Sequence, residues 1–196
     1  MNRTWSRLLV LALALAFWAP AFGCAKRSAD AGASSDIGRP VDDALMAYLS
    51  EARALHHMAD VQEDRGDLRA ALQTMDRLVA AVRPAPAPEV DEVLADAHAR
   101  RAEIAIKLKD LPAAEESVRK GLELAKSPSY FRGHLLEVFG LLEQARSKAL
   151  TEAGKPDEAK AAQARALDRL DEAVRMQEAV IAKTLDAAAP QPRPSR

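Results

Sequence analysis

The sequence predicts an all-α fold, an array of about three long antiparallel helical hairpins, and three observations carry that prediction. From Val41 onward, apolar and small residues recur at three- and four-residue steps, which is the helical period. Between successive stripes stand short segments that stop one helix and cap the next. The stops also recur: Lys109 follows Gly66 by 43 residues and Gly154 follows Lys109 by 45. A period in this range marks stacked hairpins, each unable to bury its apolar face without a neighbour.

The chain has 196 residues, 48% of them hydrophobic and 29% charged, which suits one folded domain and is too apolar for disorder. It begins Met1-Asn2-Arg3-Thr4-Trp5-Ser6-Arg7, runs apolar from Leu8 to Ala19, and continues Pro20-Ala21-Phe22-Gly23-Cys24. That is the order of a secretory signal peptide, assigned to residues 1–23. A permanent membrane span is disfavoured, because the apolar run covers only ~18 Å of a hydrocarbon core about 30 Å thick. Ala19-Pro20-Ala21 offers a site for ordinary signal peptidase. Ala21-Phe22-Gly23-Cys24 is similar instead to the lipobox of bacterial lipoproteins, with Ala21 and Phe22 departing from the usual residues.

Cys24 is the single cysteine and follows directly on the hydrophobic region. A lipidated cysteine explains both its position and its lack of a pairing partner in an oxidising compartment. The expectation is therefore a covalent lipid on Cys24, palmitate included, with no other cofactor; several acyl chains at ~0.8 kcal/mol per buried CH₂ hold firmly. By resemblance to lipoprotein sorting, Ala25 after the cysteine implies the periplasmic face of the outer membrane. A soluble periplasmic protein cleaved after Ala21 is the alternative. Residues 24–41, rich in Ala, Ser, Gly and Asp, read as a flexible tether.

The helical domain is placed at 42–186. In the first hairpin Leu45, Leu49, Ala52, Leu55 and Ala59 form one stripe and Leu68, Ala71, Leu72, Met75, Leu78, Val79 and Val82 the next, around Arg65-Gly66-Asp67. Glycine enters the left-handed conformation easily and aspartate accepts from the free N–H groups of the following helix. Arg83 to Pro88 alternates proline with alanine and reads as a stiff connector. In the second hairpin Val90, Val93, Leu94, Ala97, Ile104 and Leu108 lead through Lys109-Asp110-Leu111-Pro112 to Ala114, Val118, Leu122 and Ala125. In the third, Phe131, Leu135, Val138, Leu142 and Ala145 lead through Gly154-Lys155-Pro156-Asp157 to Ala159, Ala162, Leu167, Leu170, Val174 and Ile181. The tail 187–196 carries Pro190, Pro192 and Pro194 and reads as disordered.

Gly66 with Ala71, Gly154 with Ala159, and Ala114 after Lys109 place a helix-ending residue and an alanine five positions later. That spacing resembles the tetratricopeptide repeat, with longer helices than the family norm and without its helix A tryptophan and tyrosine. The resemblance implies a right-handed array whose first helices line a concave surface. Counting back from each turn, it nominates Arg53, His56, Asp60 and Glu63, then Asp96, Ala99 and Glu103, then Gln144 and Lys148 as a groove for a protein or peptide partner. An antiparallel helical bundle is the structural alternative.

Enzymatic chemistry has no foothold in the motifs: no phosphate-binding loop, nucleophile elbow or His-Glu-x-x-His helix occurs. His56 and His57 point about 100° apart on a helix and are poorly placed to share a metal ion, so no metal is expected. Nucleic acid is not expected either, since removing Arg3 and Arg7 from the 28 basic residues leaves 26 against 29 acidic. Gly133 and Gly140, seven apart, read as close helix packing or a shallow site for a partner's backbone. The last helix, read as Pro156 to Asp186, overhangs its predecessor, read as Ser129 to Ala153. Its apolar seam through Ile181 and Leu185 is expected either to fold back over the earlier hairpins or to form an interface with a second copy or a partner. The function that follows is a membrane-tethered protein-interaction scaffold of the cell envelope, the alternative being a structural, self-associating envelope protein.

Overall fold

The computed structural model describes residues 42–188. Cys24, the signal peptide, the tether and the tail beyond Ala188 lie outside the described residues. Six helices follow one another: α1 (Asp43–Asp64), α2 (Leu68–Val79), α3 (Pro88–Lys107), α4 (Leu111–Leu124), α5 (Tyr130–Glu152) and α6 (Pro156–Ala188). No strand occurs among the described residues.

The three turns within hairpins share one construction. Gly66, Lys109 and Gly154 all hold positive φ, at 78°, 62° and 72°. Around each, the next residue's N–H reaches back to a carbonyl five residues earlier: Asp67 to Gln62, Asp110 to Ala105, Lys155 to Leu150, each at 2.9 Å. This satisfies carbonyls that a helix end leaves free. Asp67 and Asp110 then cap α2 and α4, accepting from Ala70 N and Ala113 N. Asp42 and Ser129 do the same for α1 and α5. Pro88 opens α3, where its missing N–H costs nothing.

Helices pair as α1 with α2, α3 with α4 and α5 with α6, and the pairs stack through α2 on α3 and α4 on α5. The first helices also meet in series, α1 with α3 and α3 with α5. Neither α1 and α5 nor α2 and α4 touch. That serial pattern is a helical repeat array, not a bundle around one axis. The core is aliphatic and small: Ala52, Leu55, Ala59, Ala71, Met75, Leu78, Ala97 and Ile104 between the first units. Ala95, Ala99, Ala102, Ala114, Val118, Leu135, Val138 and Leu142 fill the space between the second and third. Arg101 ties three helices, its Nε 2.6 Å from Asp76 Oδ1 on α2 and its Nη1 2.5 Å from Ser117 Oγ on α4.

Several expectations need correction. Val82 lies outside α2 and is almost fully exposed. The long helices are α1, α3, α5 and α6, whereas α2 and α4 have only 12 and 14 residues. The α6 seam shifts by one position. Ala159, Ala162, Ala166 and Ala173 are buried, while Leu167 and Val174 are 64% and 55% exposed. Small residues win because α5 offers Gly133 and Gly140 there, so the helix axes approach closely. A Cβ on Gly140 would lie 2.7 Å from Leu170 Cγ and 3.3 Å from the Ala166 carbonyl oxygen. Both glycines are buried packing positions and offer no shallow site. Finally, α6 touches α5 alone, so it does not fold back over the earlier hairpins.

Candidate functional site: a charged face with an apolar end

Helices α1, α3 and α5 present a continuous row of charged side chains. On α3, Asp96, Arg100, Glu103 and Lys107 succeed one another at three- and four-residue steps and so share one face. On α1, His56, Asp60 and Glu63 do likewise. The two rows interlock. Arg100 Nη2 lies 2.9 Å from Asp60 Oδ1 and 3.1 Å from Glu63 Oε1, and its Nη1 lies 2.9 Å from Glu103 Oε2. Lys107 Nζ donates to Glu63 Oε2 at 2.5 Å.

From α5, His134 completes the set. Its Nε2 is 3.3 Å from Glu103 Oε1, and its Nδ1 is 3.5 Å from Asp96 Oδ1, a charge contact more than a formed hydrogen bond. His56 Nε2 approaches the other Asp96 oxygen at 3.7 Å. The proximity of Asp96 first, and then of Glu103, pushes His134 up to about 10 against the opposing effect of burial. Burial would raise Glu103, but bonding to His134 and Arg100 outweighs it and holds the carboxyl below its ordinary range. His56 is pushed down, burial outweighing Asp96. His134 is therefore a cation at neutral pH and His56 is not.

Beyond this network the character changes. Between the C-terminal halves of α3 and α5 lies a cavity of about 550 Å³ whose lining includes Ile106, Leu141, Ala145, Lys107, Gln144 and Lys148. A smaller cleft of about 210 Å³ continues it past Leu111 and Ala149 toward Lys109 and Glu152. Lys148 and Lys109 join no ion pair among the described residues. An apolar floor with unpaired polar and cationic rims is what a bound polypeptide needs, since the floor buries a side chain and the rims orient its backbone and charges.

The structure thus brings together His56, Asp60, Glu63, Asp96 and Glu103, with Gln144 and Lys148 at the neighbouring cavity. Arg53 is exposed and joins no ion pair among the described residues. Ala99 is a correction: it is fully buried in the core between the second and third units. Counting back from the turn put it one helical step from the true face, which belongs to Arg100. Arg100, Lys107 and His134 were missed, although the alternating signs of Asp96, Arg100, Glu103 and Lys107 were legible as one stripe. Among the described residues no group of His, Cys, Asp and Glu is arranged to hold a metal ion.

The tetratricopeptide repeat family model matches residues 95–128, which run from the middle of α3 through α4. The match supports a tetratricopeptide-like chain. No curated protein matches the chain in sequence.

Proposed function

We propose that this chain is a protein-interaction scaffold that holds a polypeptide segment in the cavity between α3 and α5. The single observation that carries the reading is the division of the charged face formed by α1, α3 and α5. Its α1 end is neutralised internally by Arg100, Lys107 and His134, whereas the α3–α5 end keeps an apolar floor and unpaired Gln144 and Lys148. Binding there exposes no buried charge, which is the costly event in forming an interface. Tetratricopeptide repeats are as a rule interaction modules, which agrees with a non-catalytic role.

The same proposal places the scaffold at the periplasmic face of the outer membrane, tethered by lipid on Cys24. Support comes from the leader, the glycine before the cysteine and the absence of any second cysteine. The experiment is affinity capture with the tethered chain and with Leu141→Asp plus Lys148→Glu, against a control in which Arg119→Glu alters the far side of α4. Loss of a bound protein from the first variant alone supports the cavity; an unchanged set of bound proteins removes it.

A further inference from the structure

The last turns of α6 stand clear of the array. Gln177 meets the carbonyl of Tyr130, the first residue of α5, and α5 is the one described helix that α6 touches. The residues from Glu178 to Ala188 therefore project about 16 Å beyond it. Every residue from Ile181 to Ala187 is exposed. Ile181 and Leu185, 58% and 66% exposed, lie four apart on one face of the overhang, with Lys183 and Asp186 on the other. So short a helix is marginal in water without tertiary contacts. Its apolar face needs a cover that no other described helix supplies.

What lies beyond that end follows from connectivity. Tyr48, near the start of α1, packs with Val90 and Leu94 near the start of α3, and Ala81, Ala87 and Leu124 close over them. A cleft then joins Pro88 and Asp91 of α3 to Leu124 and Phe131, at the end of α4 and the start of α5. The starts of α1, α3 and α5 accordingly share one edge of the array, and α6 ends at it. The chain from Cys24 arrives at the same edge. Residues 24–41 separate that cysteine from Asp42, and a coil of that length spans about 23 Å. The overhang covers most of that distance.

We infer that the projecting end of α6 lies in the interface of the bilayer to which Cys24 is anchored, a second membrane contact that rests on the lipid anchor proposed above. The contact is interfacial, since no described helix is long and apolar enough to cross a membrane. Two large apolar side chains hold a protein to lipid only weakly, so the anchor brings the surface near and the helix end sets the orientation. Zwitterionic lipid suits it. On the overhang Glu178 and Asp186 face a single Lys183, and along the edge Asp42, Asp43, Glu89, Asp91 and Glu92 outnumber Arg83, Lys126 and Arg132, so anionic headgroups repel it. The α3–α5 cavity, whose neighbouring cleft reaches Lys109 and Glu152, lies toward the opposite edge. Two contacts at one edge hold that cavity open away from the bilayer, whereas a tether alone lets it turn either way.

The full chain in phosphatidylcholine vesicles tests this, native and with Leu185→Cys or Asp157→Cys. Lipid on Cys24 leaves the added thiol free to carry a polarity-sensitive dye. The chain should float with the vesicles. The dye at Leu185 should shift to the blue and be quenched roughly twofold or more by quencher-bearing lipid, and the dye at Asp157, at the other end of the same helix, should show neither. Adding Ile181→Asp to the Leu185→Cys chain should abolish the quenching while flotation and helical circular dichroism are retained, and phosphatidylglycerol in the vesicles should lower it. Flotation with no quenching at Leu185, or with equal quenching at both sites, would overturn the inference and leave the anchor standing. A blue shift that lipid does not quench would overturn it in favour of a second copy covering α6. A chain that does not float would refute the anchor and this inference with it.

Discussion

Gln177 reaches from α6 to donate from Nε2 to the Tyr130 carbonyl oxygen of α5 at 3.3 Å, and its side chain lies where a Cβ on Gly133 would stand. About two turns along, Leu170 and the Ala166 backbone fill the same role against Gly140. The two glycines look alike in sequence, yet their neighbours differ in how far they can yield. Gln177 is the flexible end of a half-exposed side chain; the Ala166 carbonyl is fixed backbone. Gly140→Ala should therefore destabilise the array by about 1–3 kcal/mol through overpacking. Gly133→Ala should be close to neutral, the helical gain of up to ~1 kcal/mol offsetting the displaced Gln177 bond. Urea unfolding of the two variants checks the contrast, and equal losses would count against it.

Lys109 holds φ of 62° where the other two turns have glycine. A side chain in the left-handed region costs of order 1 kcal/mol. Lys109→Gly should raise stability by up to ~1 kcal/mol, read as a higher urea midpoint with unchanged slope. A loss of stability would mean that the lysine side chain contributes more than its backbone costs.

Two histidines should bend the stability profile in opposite senses. His98 is buried, packed over Gly121, and its Nδ1 finds no partner. Burial first, then the charges of Lys120, Arg101 and Arg83, with Glu116 opposing, push it down to about 4. Below pH 6.5 the unfolded chain takes up a proton that the folded one refuses, so stability falls as pH drops from 6.5 toward 4, by roughly 3 kcal/mol at 1.36 kcal/mol per pH unit. His134, between Asp96 and Glu103 with His56 nearby, works the other way. Its contribution is complete below pH 6.5 and is lost as pH rises toward about 10. His134→Gln should flatten the alkaline limb of a melting-temperature profile while lowering the whole curve, and His98→Gln should flatten the acid limb. An alkaline limb unchanged in His134→Gln would show that the ring does not carry the charge assigned to it.

The proposed membrane attachment rests on one atom, the Cys24 sulfur. Cys24→Ser should shift the chain from the detergent phase to the aqueous phase of a two-phase partition, or leave it unprocessed, with helical dichroism retained. If the parent chain itself partitions into water, cleavage after Ala21 replaces lipidation.

Turns were the most legible part of this sequence, because Gly66-Asp67, Lys109-Asp110 and Gly154 each combine a helix stop with a local bonding need that depends on few neighbours. Packing faces built from alanine were not. In α6 the leucines carry the strong hydrophobic signal, but the alanines are buried, and the reason lies in Gly133 and Gly140 on another helix. The charged face was half legible: His56, Asp60, Glu63, Asp96 and Glu103 were nominated by the tetratricopeptide resemblance, counting back from each turn. Arg100 was displaced by Ala99, and His134 was missed because its partners Asp96 and Glu103 lie more than thirty residues away in the chain.

The most direct measurement of the central claim is site-specific photo-crosslinking in cells, with a photoreactive residue placed at Gln144 in the α3–α5 cavity or at Glu123 on the α4 side. Gln144 should yield a discrete adduct with another protein that Leu141→Asp abolishes, and Glu123 should not. An adduct from Glu123 with none from Gln144 would contradict the account and move the binding surface to the opposite side of the array.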